Sequence, residues 1–148
     1  MGYIINEITI QTDINTVWSI LADLELLEKC DPTVKQSTLV SSKITGVGAK
    51  RRVDMVDGKN WFEEKITIFK PHEALTYQLT DCSFPIKGLQ HSYSFETIAE
   101  KTKVKQVMEY TVKYGFLGKL LDSLLLRKQF DNGIKQFLSG LKSYSEIN

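Results

Sequence analysis

The chain has 148 residues, of which 42% are hydrophobic and 25% charged, and its formal net charge is +1. This balance predicts one soluble domain over residues 1–148 with its own core, and it excludes a chain drawn to nucleic acid by overall charge. Cys30 and Cys82 lie far apart and form no CxxC, so neither a zinc site nor a disulfide framework is expected, and the setting read from them is reducing and cytoplasmic.

The opening MGYIINEITI lacks the basic-then-apolar order of a signal peptide, and no apolar run approaches the roughly 20 residues that span a bilayer. Residues 3–11 alternate as a strand, with Ile4, Asn6, Ile8 and Ile10 on one side. Thr12-Asp13 offers an N-cap to a helix carrying Ile14, Val17, Trp18 and Leu21. The pattern runs on through Leu24 and Leu27 as a second short helix and stops at Asp31-Pro32, where proline removes a donor and restricts its neighbour.

Strands and turns follow. Residues 34–42 run to a turn at Thr45-Gly-Val-Gly48, and residues 49–56 end at the hairpin signal Asp57-Gly58. Residues 61–69, 74–80, 90–98 and 103–114 continue the meander, with 82–88 read as a linker. The stretch LGKLLDSLLLRKQFDNGIKQFLSGLKSY then repeats apolar residues every three or four positions, which predicts a long helix. Gly133 and Gly140 interrupt it, each costing about 1 kcal/mol relative to alanine, as a bend or a close helix–sheet approach. Segregated elements of this kind define an α+β fold. A seven-stranded antiparallel sheet that curls around one helix encloses space that side chains must fill or leave open.

Strand alternation assigns the inward residues. They are Arg51, Val53 and Met55; Phe62, Glu64, Ile66 and Ile68; Leu75, Tyr77 and Leu79; His91, Tyr93 and Phe95; and the even positions from Val104 to Tyr114, among them Gln106, Met108 and Tyr110. Buried charges need partners. An Arg51–Glu64 ion pair across neighbouring strands satisfies both, and a ligand contact is the competing account of the same two residues. His91 has two readings as well: a satisfied core histidine, or a polar group facing a ligand.

The opening strand with INTVWSILADLELLEK, the hairpin GVGAKRRVDM, the pair WFEEKITIFKPHEALTYQL, the strand VMEYTVKYG and the terminal helix stand in an order that resembles the SRPBCC, or START-like, helix-grip superfamily. That superfamily includes START lipid-transfer domains, the major birch-pollen allergen and bacterial polyketide cyclase/dehydrase proteins. The resemblance covers essentially the whole chain. It implies a curved seven-stranded sheet around the C-terminal helix, with two short N-terminal helices and a deep hydrophobic cavity. Members bind lipids, sterols, polyketides, quinones or hormones, and a minority cyclise or dehydrate polyketides. No catalytic motif is shared among them, so none is carried over.

Other motifs are weaker. Gly46-Val-Gly48-Ala-Lys50 lacks the GK[ST] ending and leads into a strand, so it reads as a turn and not as a phosphate loop. Lys50-Arg51-Arg52 alternates faces in a strand and has no aromatic platform beside it, which argues against nucleic acid. No spacing of His72 and His91 suggests a metal, and no cofactor is expected. Cys30 or Cys82 paired with His91 as a nucleophile is the least supported arrangement, a buried thiol being the alternative. The wide apolar arc of Phe116, Leu117, Leu120, Leu121, Leu124, Leu125 and Leu126, flanked by Lys119, Arg127 and Lys128, fits a helix wrapped by the sheet, a membrane-touching gate or a dimer contact.

The expected function is binding or carriage of a hydrophobic small molecule (a lipid, quinone or polyketide) in the central cavity. Its wall residues would be Arg51, Glu64, Tyr77, His91, Tyr93, Met108, Tyr110, Phe130 and Phe137. The alternative is a cyclase or dehydrase in which His91 is the general base and Arg51, Tyr93 or Tyr110 stabilises an enolate.

Overall fold

The computed structural model describes residues 2–113 and 125–147. Strand β1 (Gly2–Ile10) buries Ile4 and Ile10, as the alternation requires. Helix α1 (Ile14–Ala22) starts where Asp13 accepts a hydrogen bond from the Thr16 amide at 2.8 Å, and it buries Val17, Trp18 and Leu21. The short α2 (Leu27–Cys30) ends at Asp31, ahead of Pro32. Then come β2 (Val34–Leu39), β3 (Lys50–Met55), β4 (Trp61–Lys70), β5 (Ala74–Cys82), β6 (Ile86–Ile98), β7 (Lys101–Val112) and the long α3 (Arg127–Ile147).

The seven strands form one antiparallel sheet in the order β1-β7-β6-β5-β4-β3-β2. The β3–β4 turn is the one foreseen: Asp57 accepts the amides of Lys59 and Asn60, both at 2.8 Å, while Gly58 takes a φ of 73° that other residues resist. The concave face packs on α1 and α3. Helix α3 buries Ile134, Phe137, Leu138 and Leu141 on one stripe. At one end Trp18 meets the rings of Phe69, Phe95 and His72 at 5.2, 5.4 and 6.1 Å.

Three expectations need correction. Simple alternation puts Ile68 inward, but a register shift between Ile66 and Ile68 inserts one residue into β4, which turns Ile68 outward and Phe69 toward Trp18. The segment 82–88 is not all linker, because β6 starts at Ile86, pairs with β7 and carries an irregularity between Ile86 and Gly88. Gly140 serves a helix–helix approach, not a helix–sheet one: a Cβ there would collide with the carbonyl oxygen of Cys30, so only glycine lets α2 seat on α3.

Tyr114 and the first part of the apolar arc (Phe116, Leu117, Lys119, Leu120, Leu121 and Leu124) lie outside the described residues. Of the rest, Leu125 is exposed and Leu126 buried. No helix among the described residues is long and apolar enough to cross a membrane.

Candidate functional site

Between the concave sheet and α3 lies a cavity of about 400 Å³, within the size range of small-molecule sites. Its polar groups come from neighbouring strands because cross-strand pairing sets them side by side. Arg51 faces Glu64 across β3 and β4, His91 stands between Tyr77 and Met108, and Tyr93 stands between Leu75 and Gln106. Toward the β5–β6 turn the wall becomes apolar, with Met55, Phe62, Phe84, Ile86 and Leu89. Helix α3 contributes Phe130, Ile134 and Phe137. Gly133 lies among them, and a Cβ added there would meet none of the described residues within 4 Å.

Arg51 and Glu64 are 5% and 2% exposed. Nη2 and Nε of Arg51 donate to the same Glu64 oxygen at 2.6 and 2.7 Å. The guanidinium also lies over the Tyr77 ring, 4.2 Å from its centre. Burial works against the Arg51 charge, but Glu64 and the tyrosines outweigh it and hold its pKa above the ordinary arginine value. Burial pushes the Tyr77 phenol up to about 12, with Arg51 opposing, and pushes Tyr93 well above its usual range. Both phenols therefore stay neutral hydroxyls.

Gln106 Nε2 is 2.9 Å from Nδ1 of His91. The two side chains share one hydrogen bond, whose direction follows the His91 tautomer and the orientation of the Gln106 amide. Burial lowers the His91 pKa; Glu64 opposes this and Arg51 adds to it. The Oε1 of Gln106 is buried without a hydrogen-bond partner among the described residues. Asp31, at the end of α2, reaches the same wall. Its Oδ1 accepts from the amide and hydroxyl of Thr33 at 2.9 and 2.7 Å, and burial raises its pKa against those bonds.

Of the expected wall residues, Arg51, Glu64, His91, Tyr93, Met108, Phe130 and Phe137 line this cavity. Tyr77 and Tyr110 do not. Tyr77 lies beneath Arg51 with its hydroxyl donating to the Leu21 carbonyl at 2.7 Å, and Tyr110 is buried against the Phe130 ring at 4.9 Å. Both are long side chains on inward positions, but core elements already cover them. Sequence reasoning missed Asp31, Thr33 and Phe84, because a helix stop and a linker carry no periodicity that assigns a face. Cys82 does not meet His91: its thiol points to the carbonyls of Phe84 and Ile86, at 3.5 and 3.9 Å. Burial raises both thiols, Cys30 to about 11, so neither is a ready thiolate. No group of three or more metal-ligating side chains occurs among the described residues.

A second hollow of about 510 Å³ lies outside, between α2 and α3, open to solvent and lined by Glu28, Lys135 and Ser139 among others. The inner cavity is the candidate site, because there buried polar groups converge on mostly apolar space between sheet and helix.

A curved antiparallel sheet closed over a lined cavity by a C-terminal helix is the helix-grip architecture of the SRPBCC superfamily. The family described as "Polyketide cyclase / dehydrase and lipid transport" matches residues 4–146, and the chain belongs to it. Similar solved structures include TTHA0849 from Thermus thermophilus, with a TM-score of 0.82 and 19% identity over 97% of each chain. Ginseng major latex-like protein 151 from Panax ginseng has a TM-score of 0.78 and 14% identity, also over 97% of each chain. The di-domain ARO/CYC BexL from the BE-7585A biosynthetic pathway has a TM-score of 0.78 and 12% identity over 97% of this chain and 46% of that one. At these identities the likeness is one of fold. A search of curated proteins gave no match.

Proposed function

We propose that the protein binds and carries a hydrophobic small molecule of the lipid, quinone or polyketide kind. The observation that carries this reading is the cavity of about 400 Å³ between sheet and α3, apolar over most of its wall with a small cluster of polar groups. Apolar burial at about 25 cal/mol per Å² supplies affinity, and the polar cluster orients the guest. The family's description, which joins cyclase/dehydrase proteins with lipid transport, points the same way. In this reading Arg51, Glu64, His91, Tyr93, Met108, Phe130 and Phe137 touch the ligand, while Tyr77 and Tyr110 support the wall from behind. The working arrangement is one domain in a reducing, cytoplasmic setting, with the exposed Leu125 available for peripheral membrane contact.

The enzymatic alternative has one observation in its favour: His91 shares the wall with Arg51 and Tyr93. Against it stands the commitment of one ring nitrogen: Nδ1 of His91 is already engaged by the Gln106 side chain, and the cavity wall is mostly apolar, so carriage is the better-supported function.

Organic extraction of the purified protein followed by mass spectrometry is expected to release a bound amphiphile. Nile red is expected to bind with enhanced fluorescence. A consistently empty protein with no affinity for Nile red or a quinone probe overturns the proposal.

A further inference from the structure

An unpaired buried guanidinium draws carboxylates, because its fork of donors matches two oxygens. In this cavity Arg51 is already matched. Two of its N–H groups go to one Glu64 oxygen at 2.6 and 2.7 Å, with the two side chains 6% and 2% exposed, and the Tyr77 ring covers its face. Among the described residues, the charged side chains lining the cavity are Arg51, Glu64 and Asp31. His91 adds no charge, since it engages the neutral Gln106 side chain and burial favours the neutral ring. These described groups sum to zero or to one negative charge, depending on Asp31.

We infer that the ligand of this cavity has an uncharged polar end with a carbonyl-type oxygen, and that Glu64 is the residue that turns carboxylates away. This deepens the carrier reading and rests on it. Donors on the described wall for such an oxygen include the Tyr93 hydroxyl, the Arg51 N–H groups that Glu64 does not use, and the side-chain amides of Gln129, Asn132 and Gln136. A carboxylate entering there would meet Glu64 and Asp31 in a medium that screens like charges poorly. An ammonium would be drawn by Glu64 and Asp31 but repelled by Arg51, and it carries no acceptor for the donors of the wall.

The test uses three probes that share a ten-carbon tail: decan-2-one, decanoate and decylammonium. Each is titrated calorimetrically into the wild-type protein at neutral pH, with Nile red displacement locating binding in the cavity. The ketone is expected to bind at least about tenfold more tightly than either ion. Glu64→Gln strips Arg51 of its counter-charge and is expected to move decanoate up by at least about tenfold relative to the ketone. A wild-type protein that takes decanoate or decylammonium as well as the ketone overturns this inference and leaves the carrier reading in place. A folded Glu64→Gln protein with an unchanged ratio does the same. If none of the three probes binds although Nile red does, this inference is overturned and the carrier reading stands; if Nile red fails as well, both fall. The wild-type comparison needs no substitution, so it decides the matter even if the variant does not fold.

Discussion

Arg51 and Glu64 stand opposite one another on β3 and β4, and one carboxylate oxygen of Glu64 takes two N–H groups of Arg51. Taking one partner from a buried pair strands the other charge and costs about 3–5 kcal/mol, whereas replacing both by apolar groups is often neutral or better. Glu64→Leu is therefore expected to lower the unfolding free energy by about 3–5 kcal/mol, and Arg51→Met combined with Glu64→Leu to recover most of that loss. Urea denaturation of the wild type, the single variant and the double variant checks this. A double variant as unstable as the single one would show that the two charges are not coupled.

The two glycines of α3 should respond in opposite directions. A Cβ at Gly133 enters open cavity, so Gly133→Ala is expected to stabilise the helix by up to about 1 kcal/mol. At Gly140 the Cβ collides with the Cys30 carbonyl, and Gly140→Ala is expected to destabilise by about 1–3 kcal/mol despite its better helix propensity. Thermal melts resolve the difference, at about 3 °C per kcal/mol for a chain of this size. The bulkier Gly133→Leu is expected to fold normally and weaken Nile red binding about tenfold, through occupied volume alone.

Burial lowers the pKa of His91 in the folded chain. The unfolded chain takes up the proton first, near the ordinary value of about 6.5. The contribution of the neutral ring to stability is whole above that pH and is lost as pH falls from there through the lowered folded-state value. Urea midpoints measured from pH 7.5 down to pH 5.5 are expected to fall, and His91→Gln to flatten that part of the profile. An equal slope in the variant would assign the loss to other groups.

Much of this wall was readable from alternation alone. The polar residues Arg51, Glu64, His91 and Tyr93 each sit two positions from an inward neighbour of the same strand, and a strand's period of two carries that information locally. Ile68 failed for a related reason: an inserted residue shifts the phase, and nothing in ITIF marks where the insertion falls. Asp31 and Thr33 reach the cavity from a bend after α2, where no period assigns a face.

The amino-acid order by itself determined the sequence of elements, the inward set of most strands, the Asp13 cap and the Asp57-Gly58 turn, because each depends on residues a few positions apart. Contacts between distant parts of the chain decided the rest. Gln106 of β7 engages Nδ1 of His91 on β6, Leu21 of α1 holds Tyr77 away from the cavity, and the Cys30 carbonyl demands glycine at position 140. None of these follows from local pattern, since hydrogen-bond roles and steric clearance exist only once the partners have been brought together.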